Sequence, residues 1–208
     1  MTPPTEILGE AVVLGRGDSG EARWRFSFLH AGEGLVMALR RQPGKRAGSA
    51  PVPDVFEIGE VQLVASAPGK PYFLRDYRPV QTFRELARNP GAFRLAGVLC
   101  AFYRLNLHPS ENNALHFEAL RQALQAFARR PDPDATLFKA VYRFASQEGF
   151  AVREDWAARL QPAEADDARR ILSLPLDQID VSPERTTALT RRLFQFLEET
   201  GAFRLPRW

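Results

Sequence analysis

One cysteine, Cys100, is all the thiol this chain of 208 residues holds, so an intrachain disulfide and a CxxC zinc site are both excluded. It sits in the apolar run Leu95 to Leu107. A reactive thiolate needs a base and an electropositive, partly exposed niche, whereas a small buried residue needs neither, and burial is the expectation. Histidine is nearly as scarce. His30, His108 and His116 show no HExxH-type spacing, which predicts turn or surface positions and no metal site. Long apolar runs are missing too, since no stretch approaches the roughly 20 residues of a membrane span. The opening MTPPTEILGE lacks the basic and apolar regions of a secretory signal. A cytoplasmic protein without a membrane partner is therefore expected.

Raw material for catalysis is also thin. The neighbouring carboxylates Asp166 and Asp167, or Glu198 and Glu199, diverge on a helix as solvated faces do. Gly15, Gly17 and Gly20 spell G-x-G-x-x-G, but a nucleotide site requires a helix after that loop, and Glu21 to His30 alternates like a strand. A hairpin turn needing positive φ accounts for the glycines better. A non-catalytic protein without cofactors is the expectation.

Lysine is the last scarcity, and it shifts attention to what is present. Only Lys45, Lys70 and Lys139 are lysines among 28 basic residues, in a chain of net charge +3. Arginine's planar fork suits phosphate oxygens and stacks on bases; an arginine-favouring genome explains the same bias. Between Arg16 and Arg46 the charge concentrates. Arg16, Arg23, Arg25, Arg40, Arg41, Lys45 and Arg46 face only Asp18, Glu21 and Glu33 as acids.

The first eighty residues carry five short strand-like segments: Leu8 to Leu14, Ala22 to His30, Leu35 to Arg41, Val55 to Val64 and Pro71 to Arg78. Turns are expected at Gly15 to Gly20, Ala31 to Gly34, Gln42 to Pro53 and Ala65 to Lys70. Trp24, Phe26 and Phe28 alternate with Arg23, Arg25 and Ser27, placing aromatics on a core face and polar groups on a wet one. Five such strands fit a small closed barrel, with the OB-fold leading and an SH3-like barrel reading similarly. From about Thr82 the period changes to 3.6. Helices are expected over Ala92 to Leu107, over Asn112 to Arg129, from an Asp132 cap to about Gly149, near Ala163 to Leu172, and from a Ser182 cap to Gly201. The fold class predicted is α+β: a five-stranded antiparallel OB-like barrel over residues 1–80, then an all-α bundle over 81–208. On such a barrel the basic residues would form a groove that tracks a sugar-phosphate backbone.

The stretch EAVVLGRGDSGEARWRFSFLHAGEGLVMALRR resembles the opening of the RecO family, in which a basic-Asp-x-Gly-Glu-Ala turn joins the first two strands and the third ends in basic residues. Asp18, Gly20, Glu21 and Ala22 carry that turn. Arg40, Arg41, Lys45 and Arg46 stand where the family has its basic loop, VPDVFEIGEVQLV resembles the strand after it, and YRPVQTFRELARNPGAFRLAGVLCAFYRL resembles the entry to the helical domain. Many members carry a four-cysteine zinc module; here Gln147 to Val152 reads QEGFAV and no cysteine follows. The resemblance implies binding of single-stranded and duplex DNA, annealing of complementary strands, and recombinase loading with RecR and single-strand-binding protein. The alternative is a protein-protein interaction adaptor without DNA binding, whose arginines are ordinary solvated surface.

Overall fold

The computed structural model of the chain describes residues 6–20, 22–42, 51–67, 69–108, 112–129 and 132–207. Five strands, β1 (Glu6–Asp18), β2 (Arg23–His30), β3 (Gly34–Arg41), β4 (Ile58–Val64) and β5 (Tyr72–Gln81), close into a barrel in the order β1-β2-β3-β5-β4. Neighbours pair antiparallel except β3 with β5, which run parallel through Ala38 opposite Tyr72 and Leu39 opposite Phe73. That exception is forced by number, because a closed ring of five strands cannot alternate direction all the way round. The long β1 is shared, pairing with β4 from Glu6 to Val12 and with β2 from Ala11 to Asp18.

Alternation packs the interior. Ile7, Ala11, Val13, Phe26, Phe28, Val36, Ala38, Val61, Leu63, Leu74 and Tyr77 form one buried cluster. The stacked rings of Phe26 and Phe28 lie 5.8 Å apart and are fully enclosed, and burying such a side chain stabilises by roughly 1.5–3 kcal/mol. Gly59 marks the tightest approach, since a Cβ there would stand 2.3 Å from the Tyr77 ring.

Several expected strand boundaries move, and two of the shifts have a local cause. The segment Gly15 to Asp18 is strand rather than turn: a register shift between Val13 and Gly15 absorbs a residue, and pairing resumes with Gly15 opposite Ser27. The hairpin turn is therefore short, and the left-handed backbone falls on Gly20 and Ala22 while Gly17 stays in ordinary space. The fourth strand starts at Ile58, not Val55. Asp54 accepts from the Val55 N–H, the Glu57 N–H returns to the Asp54 carbonyl, and Phe56 turns left-handed at φ 72°. A side chain that offers the backbone a local partner competes with the ladder in this way.

Five α-helices follow among the described residues: α1 (Pro90–Asn106), α2 (Asn113–Arg129), α3 (Pro133–Gln147), α4 (Pro162–Ser173) and α5 (Pro183–Glu199). Their ends obey the local chemistry of the chain. Asp132 accepts from the N–H groups of Asp134 and Ala135 to cap α3, Pro133 and Pro183 open their helices, and Gly149 and Gly201 take positive φ beyond the ends. The weakly patterned stretch beyond Phe150 becomes a π turn over Val152–Trp156 and a 3-10 turn over Ala157–Arg159.

The chain divides into two compact units, residues 1–83 with 107–121, and residues 84–106 with 122–208. In the first, Asn113 at the start of α2 donates to the Gly32 carbonyl at 2.9 Å, tying that segment to the β2–β3 hairpin. In the second, Phe102, Phe144, Phe194 and Phe203 pack as an aromatic core around α1, α3, α5 and the tail. Cys100 is buried there, and loss of solvent pushes its thiol up to about 12.

Candidate nucleic-acid interface

Directly opposed residues on neighbouring strands share a face, so the register sorts the arginines. Phe26 pairs with Ala38 in the core, which makes Trp24 and its partner Arg40 inward positions at the barrel's rim, and Arg16, opposite Phe26, joins them. These rim groups have partners. The Arg16 guanidinium lies over the Trp24 ring at 5.6 Å and reaches Asp54 at 4.0 Å, while Arg40 donates to the Pro51 carbonyl at 2.5 Å. Asp18, opposite Trp24, brings a second carboxylate to the same rim. Two cations among two acids leave little net field.

The outward positions differ. Arg23 stands directly across from Arg41, and Arg25 across from Leu39, on the outer face of β2 and β3. All three arginines are exposed. Neither Arg25 nor Arg41 makes an ion pair among the described residues. Lys45 and Arg46 lie outside the described residues. The five candidate arginines that are described thus divide into an outward set of three and a rim set of two, not one continuous row.

Continuing round the barrel, Leu39 pairs with Phe73 and Phe73 with Val64. The outward row therefore reads Arg25, Leu39, Phe73, Val64. Phe73 is 40% exposed although aromatic. Two residues along β5, exposed Arg75 adds another cation and, with Glu6, Gln62 and Val64, lines a surface recess of about 350 Å³. Phe73 and Arg75 belong to the same outer surface as Arg23, Arg25 and Arg41, and charge counting between Arg16 and Arg46 passed them by. Their signal was present in Tyr72-Phe73-Leu74, because an aromatic between two inward residues of a strand must face out.

The aromatics of β2 do not join this surface. Phe26 and Phe28 are core, and Trp24 meets Phe26 edge-on at 6.4 Å. Outward residues farther along the strands, Val12 and its partners Leu29 and Ile58, are buried as well. On β2 and β3 the accessible outer face thus lies at the end where β2 begins and β3 finishes, next to the start of β5. Gly20 and Ala22 before β2, and Gly69 to Pro71 with Lys70 before β5, adjoin that end.

His30 terminates β2 and is buried. Its Nδ1 accepts from the N–H groups of Gly32 and Glu33 at 3.1 and 3.0 Å, which holds the hairpin turn. Burial keeps its pKa below the ordinary histidine value, with the nearby Leu8 backbone and Glu33 opposing that shift more weakly. The Nε2 edge packs on Gly9, where a Cβ would come within 2.8 Å. This histidine is a turn-holder and does not face the arginine surface.

Compared with protein-family models and with curated proteins, the chain matches none.

Proposed function

We propose that this chain is a RecO-like recombination mediator that binds single-stranded and duplex DNA without sequence specificity and has no catalytic role. In this reading it anneals complementary strands and loads recombinase with RecR and single-strand-binding protein. The observation that carries the DNA-binding part is the outward, exposed set Arg23, Arg25 and Arg41 on β2 and β3 of an OB-like barrel. The outer face of strands 2 and 3, with the loops after strands 1 and 4, is where such barrels take oligonucleotides. Annealing requires only that phosphate repulsion be neutralised while base edges stay free, which guanidinium contacts to the backbone accomplish. The mediator role and its protein partners rest on the resemblance of the N-terminal strands, the basic loop and the helical entry to the RecO family.

Titration of a labelled single strand at several salt concentrations tests the binding. About four phosphate contacts give a log-log slope of roughly −3. Absence of binding at low salt would refute the proposal and leave the interaction-adaptor reading in its place.

A further inference from the structure

The outer surface holds one group that phosphate neutralisation does not use. Phe73 is exposed on β5, flanked across the ladder by Leu39 on one side and Val64 on the other. A lone surface aromatic needs no explanation, but this one has a particular setting. Arg25 stands in its own cross-strand row, Arg41 two residues beyond Leu39, and Arg75 two residues beyond Phe73. Two strand spacings, roughly 10 Å, separate Arg25 from Phe73, a gap that the base, sugar and phosphate of one nucleotide bridge once the arginine side chain extends. A surface recess lined by Glu6, Gln62, Val64 and Arg75 adjoins Val64, the ladder partner of Phe73.

We infer that Phe73 is a base-stacking platform, which makes the barrel prefer a single strand with unpaired bases over a duplex. This rests on the DNA-binding reading above and narrows its ligand. Charge complementarity supplies the phosphate half of the contact through Arg25, Arg41 and Arg75, and the ring supplies the base half. Every base has a π face, so stacking adds affinity without sequence preference. A duplex keeps its bases stacked on one another and can offer only its phosphates to the same surface. The arginines therefore serve both ligands and Phe73 serves one.

The test compares wild type with Phe73→Ala and Phe73→Trp, using a labelled oligothymidylate of about 16 nucleotides, the upper site size of one such barrel, and a duplex of equal length. Phe73→Ala is expected to weaken single-strand binding by about five- to 150-fold, with duplex affinity and both salt slopes unchanged. Phe73→Trp is expected to restore or exceed wild-type single-strand affinity. The ring is 40% exposed, and matching thermal melts of the three proteins check that its truncation leaves the fold intact. Equal loss for single strand and duplex, or no loss for either, would overturn the inference while leaving the arginine surface standing. A wild-type protein that binds neither ligand would remove the DNA-binding reading and this inference with it.

Discussion

The division of the arginines into two sets makes a prediction that charge composition alone cannot. Consider Arg25→Gln with Arg41→Gln on the outer face, and separately Arg16→Gln with Arg40→Gln at the rim. Both double variants remove two charges. If Arg23, Arg25, Arg41 and Arg75 each neutralise a phosphate, the wild-type slope for single strands is about −3 and the outer variant's about −1.4. Two lost contacts then weaken binding by roughly 25-fold at about 0.1 M salt. The rim variant should hold the steeper slope, because Arg16 and Arg40 already engage Trp24, Asp54 and Pro51. Stability should run the other way. Losing an exposed ion pair costs about 0–1 kcal/mol and a cation-π contact about 0.5–1 kcal/mol, so the rim variant should melt about 1 kcal/mol less stable. The outer one should stay within about 0.5 kcal/mol of wild type. Fluorescence anisotropy over a salt series and urea melts of the same preparations measure both. A rim variant that flattens the slope as much as the outer one would refute the assignment of faces.

Two further expectations concern the scaffold that presents this surface. Gly59→Ala should destabilise the barrel by about 1–3 kcal/mol, since the new methyl meets the Tyr77 ring at 2.3 Å and the Arg78 carbonyl oxygen at 2.8 Å; an unchanged urea midpoint would contradict the packing described. His30 should make stability fall in acid. Its folded pKa is depressed below the ordinary value of 6.5, so as pH drops through that value the unfolded chain takes up the proton first. The contribution is present above 6.5 and is lost as pH falls toward the folded pKa. Urea midpoints at about pH 7.5 and pH 5 should therefore differ more in wild type than in His30→Asn, and equal differences would show that another group titrates.

Much of the architecture was legible because it depends on short-range rules. The alternation of Trp24, Phe26 and Phe28 marked β2 and its inner face, and the Asp132–Pro133 and Ser182–Pro183 pairs marked where α3 and α5 begin. The arginines were legible as a concentration but not as a surface. Arg16 follows a register shift near Leu14, and one absorbed residue moves every later side chain of a strand to the opposite face. Counting along β1 cannot reveal that shift. Phe73 escaped notice for a related reason: its neighbours Leu39 and Val64 come from strands 34 and 9 residues away in the chain, and only the parallel closure of β3 on β5 sets them side by side.

Composition and periodicity were enough to specify a barrel followed by helices, because hydrophobic alternation, caps and turn residues each act over a few positions. Which guanidiniums stand together on an open face, and which are neutralised at the rim, follows from register and barrel closure. Those are properties of strands meeting one another, and the pairing energy that selects them is not written in any one segment.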